Sequence, residues 1–147
     1  MKSLFEQAHY EEILNRIDSL KDSNVGEWGK MNVGQMVWHC QVPLKVAIKN
    51  KPTKKTGNIL IKWFFKKSLY NEKPWRKNLP TSSFARATEE KDFETERKIL
   101  RKLVSDFYQL KDRTEWNPHP LFGVFTHEQW GAMQYKHLDH HLRQFGV

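Results

Sequence analysis

Apolar residues return every three or four positions in four separate stretches of this chain, and strict every-second-residue alternation is scarce. That pattern restricts the chain to packed helices. The first stretch, Leu4 to Lys21, sets Leu4, Phe5, Ala8, Ile13, Leu14, Ile17 and Leu20 at helical spacing, and Asp22-Ser23-Asn24-Val25-Gly26 breaks it. The second opens on Asn32-Val33-Gly34-Gln35, where Asn32 can cap a helix and Gln35 can reach back from its third position. It continues through Met36-Val37-Trp38-His39-Cys40 to Ile48. Pro43 falls inside it and is expected to kink the helix or free a carbonyl group. The third spans Asp92 to Leu110, with Phe93, Ile99, Leu100, Leu103, Val104, Phe107 and Leu110 as its stripe. The last opens on a second capping box, Thr126-His127-Glu128-Gln129, and runs from His127 to Gln144, with Gly146 just past its end. Between the second and third, Lys51 to Pro80 is punctuated by Pro52, Gly57, Pro74 and Pro80, and Ile59 to Lys67 reads as a short helix within it. The expected fold is all-α: a four-helix bundle with a long crossover between helices 2 and 3, residues 1–147 forming one domain.

Composition narrows the class further. Hydrophobic residues make up only 38%, so the six Trp and nine Phe must supply much of the buried area. The single cysteine, Cys40, excludes an internal disulfide and points to a reducing, cytoplasmic setting. The N-terminal residues lack the apolar core of a signal peptide, and no run approaches a membrane-spanning length. The net charge of +8 favours anionic partners without choosing among nucleic acid, an acidic lipid surface and small anions.

Three of the seven histidines fall within five residues of the closing segment, at His137, His140 and His141. On a helix, His137 and His141 stand one turn apart on one face, close enough to share a metal ion. His39, in an apolar helical context, is the candidate third ligand from a facing helix. Three imidazoles leave an open coordination position, as catalytic sites do. His140 is turned about 100° from His141 and is set aside as a surface or outer residue, and Asp139 as a surface or supporting contact. The competing reading is a solvated pair of histidines on a helix end, with His39 a satisfied core group.

The blocks Trp28-Gly29-Lys30-Met31, Gln35-Met36-Val37-Trp38-His39-Cys40, His119-Pro120-Leu121-Phe122-Gly123, Thr126-His127-Glu128-Gln129-Trp130-Gly131 and Tyr135 to Phe145 resemble an uncharacterised bacterial branch of the DinB-like superfamily. The resemblance covers most of the chain apart from residues 51–86, and the closing block is its most specific part. It implies a four-helix bundle with a long crossover between the second and third helices. It also implies a divalent metal, Zn or Ni, held by one histidine on the second helix and a spaced pair on the last: His39, His137 and His141 here. Some relatives in that superfamily are thiol transferases and others resemble isomerases or hydrolases. The resemblance therefore implies a metal-dependent enzyme acting on a small molecule such as an anion or a thiol. Pairing of two copies would be in keeping with such bundles.

Other features weigh less. Cys40 points about 100° away from His39 and reads as a small buried hydrophobe. Gln35 reads as a cap, although it could line the same pocket. His119, in a proline-bounded loop, either lines the mouth of the site or is exposed. Trp38 and Trp130 read as core. The basic aromatic segment 54–77, with Lys54, Lys55, Lys62-Trp63-Phe64-Phe65-Lys66-Lys67, Lys73, Arg76 and Lys77, supports an alternative function: a non-enzymatic module for nucleic acid or an anionic surface. No helix-turn-helix or zinc-finger spacing accompanies it, and no Gly-rich phosphate loop, His-Glu-x-x-His motif or nucleophile elbow is present.

Overall fold

A computed structural model describes residues 1–52 and 65–147. Four α-helices carry the fold among these residues: α1 (Gln7–Ser19), α2 (Val33–Lys49), α3 (Phe93–Tyr108) and α4 (His127–Gln144). Two short 3-10 turns, Lys66–Leu69 and Ser83–Ala85, lie in the crossover between α2 and α3. No strand occurs among the described residues, where a single bridge between His119 and Gly123 is the only β pairing. The molecule is an all-helical bundle, as the periodicity requires. The short helix expected over Ile59 to Lys67 lies mostly outside the described residues.

The capping chemistry sets the helix starts. Asn32 accepts from the Gln35 amide while the Gln35 side chain accepts from the Asn32 amide, and Thr126 and Gln129 repeat the arrangement at α4. Asp92 caps α3 by accepting from the Thr95 amide. Each cap satisfies donors that the first helical turn leaves without partners. Pro43 does not end α2, which runs unbroken past it to Lys49. Its missing N–H instead removes the helical partner of the His39 carbonyl.

The core lies between the four stripes. Ile13 and Ile17 come from α1, Met36, Val37, Cys40 and Leu44 from α2, Leu100, Val104 and Phe107 from α3, and Trp130, Leu138 and Leu142 from α4. Fully burying a Leu, Ile or Phe side chain is worth about 1.5–3 kcal/mol, so these residues dominate the driving force. Three of the helices are amphipathic in the ordinary sense. The fourth is not: from Trp130 to Leu142 only Asp139 escapes full burial, although Gln134, Lys136, His137, His140 and His141 are polar. Helix α4 is therefore buried on nearly every side. Helices α1 and α2 pack against it, and the N-terminal segment covers it as well, through a hydrogen bond from the Leu4 amide to the Gly131 carbonyl (3.0 Å). Asp139 ties α4 to α1 by accepting from Arg16 (2.9 Å), and it also pairs with Arg143 (2.8 Å).

Gly131 makes the docking of the N-terminal segment possible. A Cβ there would lie 2.2 Å from Ser3 Oγ and 2.6 Å from the Phe5 ring. Helix propensity alone would make Gly131→Ala stabilising by up to about 1 kcal/mol. The clash reverses that sign, and the variant should lose about 1–3 kcal/mol, read as a lower midpoint in urea denaturation.

Candidate metal centre

Helices α2 and α4 face each other where His39, His137 and His141 meet. One nitrogen from each of the three lies within 4.8 Å of the others, and all three residues are buried. The His39 and His137 Nε2 atoms are 3.0 Å apart. The rings of His39 and His141, and of His137 and His141, meet edge to face at 4.7 and 4.8 Å. This is the trio that the sequence singles out, brought together from positions almost a hundred residues apart.

Burial decides the charge state. It lowers the pKa of His39, partly offset by the bond to the Ala85 carbonyl. It pushes His141 down to about 3, helped by the neighbouring His39. His137 falls well below the ordinary imidazole value, first through burial and then through the nearby His141, His39 and His140. All three are neutral at pH 7, the form in which imidazole ligates a metal.

The surroundings fix which nitrogens face inward. His39 Nδ1 lies 2.7 Å from the Ala85 carbonyl, which can only accept, so that nitrogen carries the proton and Nε2 keeps its lone pair. His141 Nδ1 lies 2.8 Å from Gln144 Oε1, which leaves its Nε2 with a lone pair in the same way. His137 Nδ1 is buried with no hydrogen-bond partner. The His137 tautomer is therefore set at its other nitrogen: Nε2 faces the His39 Nε2 lone pair and donates its proton to it. Two imidazole nitrogens 3.0 Å apart need a proton or a cation to mediate their contact. The chemistry of this donor set fits a divalent ion that prefers nitrogen ligands.

His140 is not on the surface. Its ring is buried between Trp28 and Trp75, with centroids at 5.7 and 5.6 Å, and meets His141 at 5.0 Å. The i+3 offset turns it out of the trio, and the crossover then covers it, which periodicity could not reveal. Trp75 also packs edge-on against His137 at 5.7 Å. The segment that carries Trp75 is tethered by Lys136, whose ammonium donates to the Ser68 and Asn71 carbonyls and to Asn71 Oδ1 at 2.7–2.8 Å. Lys136 has no carboxylate among these partners, and burial lowers its pKa to about 8. Lys77 lies over Trp28, with Nζ 4.3 Å from a ring centroid. Neutral imidazoles, indoles and ammonium groups thus surround the cluster, with no acidic ligand grouped among them in the described residues.

The remaining candidates take ordinary roles. Cys40 is fully buried against Met36 Sδ (3.7 Å), and burial raises its thiol pKa, so it is a core residue. Gln35 caps α2 and donates to the Glu89 carbonyl, away from the histidines. Trp130 is core, while Trp38 is half-buried under Lys91. His119 is neither exposed nor at the site. It is buried among Phe122, Phe125 and Trp130, and its Nδ1 accepts the Leu121 and Phe122 amides. Lys54, Lys55 and Lys62 to Phe64 lie outside the described residues. Of the rest of that basic segment, Lys66 donates to the Val124 carbonyl.

Sequence reasoning missed Trp28, Trp75, the Ala85 carbonyl, Lys136 and Gln144. Only Gln144 carried a readable signal, lying three residues after His141 on the same helix. A broad open depression of about 880 Å³ near Met1, Tyr70 and Glu128 lies at the other end of α4 and shares no residue with the trio. No described helix is long and apolar enough to cross a membrane.

Residues 3–146 match the family described as protein of unknown function DUF1569, and the chain belongs to that family. No curated protein and no solved structure matches it.

His119 supplies a pH test that is separate from the trio. Burial lowers its pKa to about 4, while the unfolded chain keeps the ordinary value near 6.5. The unfolded state therefore binds the proton first as pH falls. The stability that depends on a neutral His119 is complete above pH 6.5 and declines by about 1.4 kcal/mol per pH unit towards pH 4. Denaturation midpoints across this window should fall less steeply in His119→Asn than in the wild type.

Proposed function

We propose that this DUF1569 protein is a metal-dependent enzyme on a DinB-like bundle, acting on a small anionic molecule, with His39, His137 and His141 holding one divalent ion. The observation that carries the reading is the convergence of three neutral, buried imidazoles on one point, two of them with their outer nitrogens committed to protein acceptors. Zn²⁺ and Ni²⁺ both suit such ligands. An ion held by three neutral ligands keeps its full charge, and it would supply Lewis acidity and lower the pKa of a thiol or water beside it.

The protein's own residues do the rest. His39 and His141 present lone pairs from rigid helices, and His137 adds a third once its proton moves from Nε2 to Nδ1, so the ligand geometry needs little reorganisation. Trp75 covers His137 and His140 and keeps bulk water from the cluster, which strengthens electrostatic interactions inside it. Lys136 and Lys77, each over one of the two tryptophans, make the surroundings positive and favour a thiolate or carboxylate substrate. Thiol transfer and hydrolysis are the two reaction classes that such a site serves.

Elemental analysis of the purified protein tests the foundation. About one equivalent of a divalent metal is expected in the wild type, and little or none in His39→Ala and His137→Ala. Equal metal in all three proteins would refute the site. Turnover of the metal-loaded protein with a panel of low-molecular-weight thiols, abolished by chelation and by either substitution, is the expected result for the transferase version. Absence of turnover with every thiol, alongside hydrolysis of activated esters, would reassign the chemistry to the hydrolase version.

A further inference from the structure

We propose that Gln144 is the positioning residue of this centre: it holds His141 so that Nε2, not Nδ1, faces the other two histidines. The inference rests on the metal-site reading for its purpose, but its geometry stands alone. Gln144 is almost fully buried at the last turn of α4. Its Nε2 donates to the Trp28 carbonyl at 2.6 Å. A carbonyl can only accept, so the amide nitrogen must face Trp28 and the amide oxygen must face His141, which removes the usual ambiguity of a glutamine side chain. The oxygen lies 2.8 Å from His141 Nδ1 and can only accept. His141 must therefore carry its proton on Nδ1, the reverse of the tautomer that a free histidine side chain favours in water.

The anchor is built for this contact. The Glu27 amide donates to the Gln144 backbone carbonyl at 2.8 Å, pinning the loop before α2 against the end of α4. Gly29 has φ +83, and a Cβ there would come within 2.6 Å of Gln144 Nε2. A glycine is thus required both for the turn and for the approach of its backbone to the amide. Ala85 serves His39 in the same way from the crossover. Two loops that sequence analysis leaves without a role each set one ligand's tautomer. Outer partners of this kind orient metal-binding histidines, and their loss typically costs about 10–100-fold in metal affinity.

Gln144→Leu and Gln144→Glu separate positioning from structure. Heteronuclear NMR of the ring nitrogens in metal-free protein at pH 7 should find both His141 and His39 protonated on Nδ1 in the wild type. In Gln144→Leu the His141 proton should move to Nε2 while His39 stays unchanged. Zn²⁺ affinity by competition with a chromophoric chelator should fall about 10–100-fold. Gln144→Glu keeps an acceptor for His141 while losing the donor to Trp28. It should restore the Nδ1 tautomer and bind Zn²⁺ more tightly than Gln144→Leu. A His141 proton on Nε2 in the wild type, or on Nδ1 in Gln144→Leu with wild-type affinity, would overturn the assignment. If Gln144→Leu does not fold, an Nε2 proton on His141 in Gln144→Glu would overturn it equally. A wild type that binds neither Zn²⁺ nor Ni²⁺ would sink the metal reading, while the tautomer comparison would still decide the role of Gln144.

Discussion

The constraint on which the rest of this molecule depends is the burial of a polar helix. Helix α4 carries Gln134, Lys136, His137, His140, His141 and Gln144 into the interior. Burying a polar group without a partner costs about 1–3 kcal/mol on the scale set by protein mutations. The surrounding chain is arranged largely to meet that demand. Gln134 donates to the Pro43 carbonyl, Lys136 reaches three oxygens of the crossover, and Gln144 spans His141 and Trp28. The loops are thus more than connections between helices. Each one that touches α4 brings an acceptor or an indole to a polar group that the helix would otherwise strand.

This arrangement has a thermodynamic consequence for the trio. Desolvation keeps His39, His137 and His141 neutral, so the folded chain resists protonating them and pays for that resistance as acidity rises. It also leaves His137 Nδ1 with no partner at all. A core of apolar side chains in the same volume would avoid both costs. An ion bound only by the folded state would return stability, about 2.7 kcal/mol at a hundredfold excess over its dissociation constant. The trio therefore couples any metal affinity directly to the stability of α4.

The helices were legible because their signals are local. The two capping boxes and the α4 limits, His127 to Gln144, follow from residues within one turn of each helix end. The trio was legible for a related reason: an i, i+4 pair on a helix has only one face to share, and His39 stands in an apolar run that had to be buried. His140 lies outside the trio as its spacing implies, but the choice between surface and outer residue was open because periodicity assigns residues to faces and does not say what covers a face. Here Trp28 and Trp75, from two irregular segments, enclose it. His119 was misjudged. A proline-bounded loop looks exposed until its backbone amides turn inward and use the ring as their acceptor. Of the two outcomes expected at Pro43, a kink or a freed carbonyl, the second applies: α2 continues past the proline, which forfeits only the bond to the His39 carbonyl.

The placement of the outer partners bears on what kind of centre this is. A purely structural ion needs its ligands closed around it, and a fourth protein ligand ordinarily completes the set. Here the described residues gather three donors and no fourth, while His140, the nearest additional imidazole, is held off between two tryptophans. The chain thus has a spare ligand at hand and keeps it away. Under the proposed metal reading, an ion held by the trio would have its remaining position left to something other than these side chains. The tether from Lys136 to Ser68 and Asn71 then makes the Trp75 segment the element that would have to yield for a ligand to reach that position. Selectivity would therefore lie in the Trp75 segment, and not in the helices that hold the histidines.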